Sequence, residues 1–144
     1  MNERALGLLG LMRRANALQV GEQDTGTAAR AQTAKLIIVA KDASDNARKR
    51  AGDYVTGRPI QLIVLPFTKE EISDAVGKNG CSMAAVCDLG FADAFLKLLC
   101  EASPEEYSEA SIRIAERLSK DKQRRAEIKA HESNKRTGKR RNNA

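Results

Sequence analysis

The sequence predicts a layered α/β domain that carries a charged helical extension, and three observations predict it. Residues 35–40 (KLIIVA) and 60–65 (IQLIVL) are short apolar runs rich in β-branched side chains and lacking polar alternation, the pattern of strands covered on both faces. A third run, residues 83–87 (MAAVC), follows, and helical periodicity fills the spaces between the runs, so strand and helix alternate. Pro104 then opens a different regime, because after Leu118 the chain has almost nothing to bury.

Taken in order, Asn2 caps a first helix in which Ala5, Leu8, Leu9 and Met12 fall at i, i+3, i+4 and i+7, one stripe that covers the sheet. Arg13 and Arg14 suit the negative end of its dipole, and Asn16 stops it. Leu18–Val20 is a very short strand leading to Gly21, where a second helix starts with Glu22, Gln23 and Asp24 at the positive end of the dipole. That helix is poor: Thr25, Gly26 and Thr27 lower its propensity, and only Ala28, Ala29 and Ala31 offer a small-residue face. It needs packing or a ligand to hold it.

KLIIVA is the central strand. Asp42 and Ser44 mark the turn into a third helix, Asp45–Val55, with Ala47, Ala51, Tyr54 and Val55 inward and Arg48, Lys49 and Arg50 outward. Gly57 ends it and Pro59 prevents continuation, so IQLIVL becomes a second buried strand, reached by a right-handed crossover and parallel to the first; Pro66 closes it. Thr68 and Glu71 form a capping box for a fourth helix with Ile72, Ala75 and Val76 inward. Gly77, Lys78, Asn79 and Gly80 make a loop that permits positive φ and close backbone approach. After MAAVC, Asp88 opens a fifth helix whose Phe91, Phe95, Leu98 and Leu99 supply apolar bulk.

Tyr107, Ser111, Ile114 and Leu118 trace one further stripe, and Glu109 with Arg113, Glu116 with Lys120 and Asp121 with Arg125 stand at i, i+4 as a solvated helix requires. The expected organisation is a domain over residues 1–102, a charged helix over 103–131 and a basic disordered tail over 132–144.

The net charge of +6 is unevenly placed. Residues 1–104 carry 13 Lys and Arg against 12 Asp and Glu, and residues 105–144 carry 12 against 7, so most of the excess lies in the extension. A basic tail on a nearly neutral body points to a polyanion, with nucleic acid the default. Three cysteines without metal-ligand spacing and one histidine predict a reduced, cytoplasmic protein with neither disulfides nor zinc. No apolar run approaches the length of a membrane span, and the N-terminal stretch has its charges inside the apolar run, unlike a secretion signal.

No enzyme constellation is legible, so the sequence predicts no catalytic residue, no metal and no cofactor. His131 lies in the charged extension with no nucleophile motif nearby, and Cys81, Cys87 and Cys100 are expected as small apolar core residues. Asp42 and Asp88 are the two carboxylates to inspect for a perturbed site. The five aromatic residues are mostly at core spacing, which argues against a base-stacking surface of the single-strand type. A mode that reads shape remains, because the helix start at residues 21–24 and the loop at residues 78–80 both present backbone N–H groups to phosphates.

Four segments in order, LLGLMRRANAL, VGEQDTG, TAKLIIVAKDASDNARKR and EISDAVGKNGCSMAAVCDLGFADAFLKLL, resemble the archaeal and eukaryotic kink-turn-binding ribosomal protein family, especially its bacterial YlxQ-like branch, over roughly residues 3–100. The resemblance implies a three-layer α/β/α sandwich with a small mixed four-stranded sheet, so one strand is antiparallel. It also implies a non-enzymatic role in binding structured RNA, ribosomal RNA above all, in or near the ribosome and beside ribosomal proteins, with a monomer off RNA. In that family the start of the second helix holds sheared G·A pairs through an Asn-Glu pair and a Lys three residues on; those positions here are Gln23, Asp24 and Thr27. The loop that receives an unstacked nucleotide corresponds to Lys78, Asn79 and Gly80. Thr27 removes a cation, and the loop is polar and one residue shorter.

The candidate RNA-binding set is therefore Gly21, Glu22, Gln23, Asp24, Thr27, Arg30, Lys35, Lys41, Lys78, Asn79 and Gly80, with the stretch from Lys120 to Arg141 adding nonspecific phosphate contacts. The alternative is a protein-interaction module that kept the fold and lost specific RNA recognition.

Overall fold

In a computed structural model that describes residues 3–142, with side chains described through Ser133, one four-stranded sheet runs in the order β1-β4-β2-β3. The strands are β1 (Leu18–Val20), β2 (Leu36–Val39), β3 (Gln61–Val64) and β4 (Met83–Val86). β2 and β3 are parallel, as the crossover through α3 (Asp45–Val55) requires, and β4 is antiparallel to both β1 and β2. The sheet is mixed, as the family resemblance implies. Asn2 lies outside the described residues.

β2 and β4 are the two central strands and every residue in them is buried, which their unbroken apolar runs foretell. β3 departs from expectation. It is an edge strand, and although Ile63 and Leu65 are buried, Leu62 and Val64 are exposed. An apolar run cannot announce its place in the strand order, which pairings distant in sequence decide.

The remaining helices are α1 (Glu3–Arg14), α2 (Glu22–Arg30), α4 (Lys69–Val76), α5 (Leu89–Ala102) and α6 (Pro104–Asn142). α1 packs on α4 and α5, burying Ala5, Leu9 and Met12, while α2 packs on α3. Two glycines set how closely these helices meet. A Cβ on Gly26 would stand 2.7 Å from the Tyr54 ring, so the residue that weakens α2 is the one that lets α3 approach it. A Cβ on Gly10 would stand 2.8 Å from the Ala75 carbonyl oxygen, which is backbone and cannot swing aside. Gly10→Ala is therefore expected to destabilise the protein by about 1–3 kcal/mol through overpacking, exceeding its gain of about 1 kcal/mol in helix propensity. An unchanged or higher denaturation midpoint would show that α1 and α4 can part at no cost.

The local signals act as written. The Ser44 Oγ accepts from Ala47 N at 3.1 Å, Thr68 and Glu71 form the reciprocal capping box, and Asp88 accepts from Phe91 N at 2.9 Å. Asn16 ends α1 with a φ of 62°, and Gly77 and Gly80 hold φ values of 73° and 71°. Ala31 is exposed rather than packed.

The core does not stop at Ala102. Tyr107, Ala110 and Ile114 of α6 are buried in it, and α6 packs along α5. The Tyr107 hydroxyl donates to the Val64 carbonyl at 2.7 Å, and burial, helped by the neighbouring Glu106, pushes its pKa up to about 12. The Arg117 guanidinium donates to the Pro59 carbonyl at 2.7 Å. Beyond Leu118 the described side chains are exposed, Asp121 excepted, and Glu109–Arg113 and Asp121–Arg125 pair at 2.6 and 3.1 Å. The backbone stays helical to Asn142, past residue 131, after which the composition predicts disorder; the stretch is rich in Lys and Arg, good helix formers, and its one strong breaker is Gly138. Residues 143 and 144 lie outside the described part.

Candidate functional site

Because β1, β2 and β3 run the same way, their C-terminal ends share one edge of the sheet, where Val20, Val39 and Val64 end and Met83 begins β4. α2, α3 and α4 each follow one of those strands, so three helix N-termini open on the same rim. The loop of Lys78, Asn79 and Gly80 arrives there immediately before β4. The two turns singled out by the sequence are thus neighbours: the Lys78 Nζ donates to the Val20 carbonyl at 3.1 Å, and a Cβ on Gly21 would lie 3.2 Å from that nitrogen. Glu22, Asn79 and Gly80 line one open cleft of 620 Å³.

Gly21 fits its position through its backbone. Its φ of 96° and ψ of 160° lie in a region open essentially to glycine alone. As N-cap it offers no side-chain acceptor, whereas α3, α4 and α5 are each capped by a side chain. The first N–H groups of α2 consequently face the rim without a cap.

The loop opposite is held by Ser73, which the sequence pattern did not single out. Its carbonyl accepts from Gly77 N and Lys78 N at 2.8 and 3.1 Å, and its Oγ accepts from Cys81 N at 3.0 Å. Arg13 donates to the Val76 carbonyl, a cation on the C-terminus of α4. Nothing in a lone serine within a helical pattern signals that role. Cys81 is buried, and burial pushes its thiol pKa up; Cys87 and Cys100 are only half-buried.

The other expected residues separate into groups. Lys41 is exposed just past β2 on the rim, where Arg48 donates to its carbonyl at 2.6 Å. Glu22 pairs with Arg50 at 2.8 Å, which turns one rim carboxylate toward α3. Gln23 is exposed, and its carbonyl accepts from the Thr27 hydroxyl at 3.0 Å. Asp24 and Thr27 line a smaller pocket of 260 Å³ on the flank of α2. Arg30 lies at the far end of α2, and Lys35 precedes β2 at the opposite edge of the sheet, so neither joins the rim. Asp42 accepts from Lys69 N at 2.8 Å and Asp88 caps α5, which gives both inspected carboxylates structural partners.

The cleft floor has a charge the sequence did not foretell: Glu22, Glu70 and Asp74 against Lys69. Among the described residues no group of three metal-ligating side chains gathers, and no helix is long and apolar enough to cross a membrane.

Fold and rim together define a small α/β/α domain with one edge that carries an uncapped helix start and one fixed lysine. Among known proteins, one from Enterococcus faecium named RNA-binding protein YlxQ is 33% identical over 97 residues, 67% of this chain and 92% of the relative. The protein of that name from Bacillus subtilis (strain 168) is 32% identical over 96 residues, 64% of this chain and 91% of the relative. The chain belongs to the YlxQ family. A solved structure of a protein with unknown function from Bacillus halodurans C matches with a TM-score of 0.60 and 29% identity, covering 65% of this chain and 94% of that one. No protein-family model matches the sequence.

Proposed function

We propose that this protein is a non-enzymatic, ribosome-associated RNA-binding protein that recognises structured, kink-turn-like RNA through the start of α2 and the Lys78 loop. The observation that carries the proposal is the seating of the Lys78 ammonium on the Val20 carbonyl, directly beside the uncapped start of α2. An ammonium has three N–H donors, so one bond to the protein leaves two for a phosphate, and the helix start adds backbone donors and a favourable dipole. The relatives are named RNA-binding proteins, which supports the same partner class. On this proposal the protein works in the cytoplasm, on ribosomal RNA and beside ribosomal proteins, and is monomeric off RNA.

The test is a gel-shift series with a kinked duplex, the same duplex with its G·A pairs disrupted, and a plain hairpin. Preference for the kinked duplex is the expected result. Equal binding to all three removes shape recognition from the function, and binding to none removes RNA.

The acidic floor of the rim cleft favours one alternative, a protein-interaction module that docks a basic segment against Glu22, Glu70 and Asp74. Absence of RNA binding in the same series is its signature.

A further inference from the structure

The edge of the sheet opposite the rim holds a second cleft, of 290 Å³, and three cations line it: Lys35 ahead of β2, Arg58 between α3 and β3, and Arg117 from α6. No carboxylate lines it. Its charge is therefore the reverse of the rim cleft, where carboxylates outnumber the single lysine. None of the three forms an ion pair among the described residues. A concave surface of one sign concentrates the field and attracts a counter-ion.

The two arginines are held rather than consumed. Arg117 donates to the Pro59 carbonyl at 2.7 Å and Arg58 to the Tyr54 carbonyl at 3.1 Å, both through Nη1. A guanidinium carries five N–H donors in a rigid fork, so one carbonyl bond fixes each group and leaves the rest for an oxyanion, for which the fork is well shaped. Lys35 makes no side-chain hydrogen bond among the described residues. From Arg117, Lys120 and Arg124 stand at i+3 and i+7 on the same face of α6 and are exposed, and Asp121 at i+4 between them is paired with Arg125.

We propose that this cleft and the adjoining face of α6 form a second RNA-contact surface, which takes the phosphodiester backbone of the same RNA without reading its sequence. The inference rests on the RNA-binding proposal above and assigns it a second attachment point. Phosphate contacts position an RNA and carry no base information, so the two surfaces divide the work: the rim discriminates and the cleft holds.

The experiment measures binding of the full chain to the kinked duplex and to the plain hairpin across a salt series. The triple variant Lys35→Ala/Arg58→Ala/Arg117→Ala is expected to weaken both RNAs by a similar factor, and each lost phosphate contact should make the salt slope shallower by about 1, hence about 2–3 for the three. Arg58 and Arg117 also bond backbone carbonyls, so Lys35→Glu, which loses no protein hydrogen bond, is measured alongside; it should weaken both RNAs with the melting temperature unchanged. Wild-type affinity and slope in both variants overturn the second surface and leave the RNA-binding proposal standing. Failure of the wild-type chain to bind either RNA overturns both.

Discussion

Deleting residues 103–144 is expected to leave a chain that no longer folds cooperatively, whereas deleting residues 119–144 should change stability by no more than about 1 kcal/mol, as for exposed surface changes. The difference lies in three side chains. Tyr107, Ala110 and Ile114 are buried against the sheet and α5, and Ile114 is fully so. Removing one buried aromatic or aliphatic side chain costs about 2–5 kcal/mol, so losing Tyr107 and Ile114 together approaches the whole stability of a small domain, roughly 5–15 kcal/mol. Urea denaturation of the two truncations, followed by far-UV circular dichroism, decides it. A sharp, near-native transition for the 1–102 fragment would mean that the α6 contacts only decorate a core complete without them.

Gly21→Val should produce the largest loss at the rim. The backbone there has a positive φ that a β-branched residue cannot adopt without strain of about 1–3 kcal/mol, and the new Cβ would crowd the Lys78 ammonium from 3.2 Å. Both the uncapped start of α2 and the seat of Lys78 are displaced together. The expected outcome is a lower midpoint of unfolding and loss of preference for the kinked duplex. Lys78→Ala serves as the comparison, since it removes the ammonium and leaves the glycine conformation intact; it should weaken RNA binding with little effect on the midpoint. If Gly21→Val keeps full preference for the kinked duplex, the rim is not where the RNA is read.

How much of this was legible depended on the range of the interaction concerned. Thr68 and Glu71 are three residues apart and satisfy each other's backbone donors, so their pattern is complete in the sequence. The glycines of the Lys78 loop announced positive φ for the same reason, and the loop proved to sit beside Gly21. The edge position of β3 was not legible, because it follows from β4 inserting between β1 and β2 and leaving β3 outside. Ser73 was missed since its acceptors serve residues brought back by a turn, and the Lys35, Arg58 and Arg117 cleft because its members are distant in the chain. Lys35, expected as an RNA contact, stands in that cleft and shares no surface with the rim. The stripe on α6 was half seen: Tyr107 and Ile114 face inward as their spacing suggests, but the third buried position is Ala110 and not Ser111.

Two bonds from α6 have a consequence for the exposed edge of the sheet. Tyr107 and Arg117 take the carbonyls of Val64 and Pro59, at the two ends of β3. Ten residues of helix rise about 15 Å and five residues of strand about 17 Å, so the two anchors match in span. An open strand edge is a template on which another chain can add in register, and exposed Leu62 and Val64 would make this one adhesive. With Tyr107 and Arg117 bonded to them, the Val64 and Pro59 carbonyls are not open to a strand that would add there.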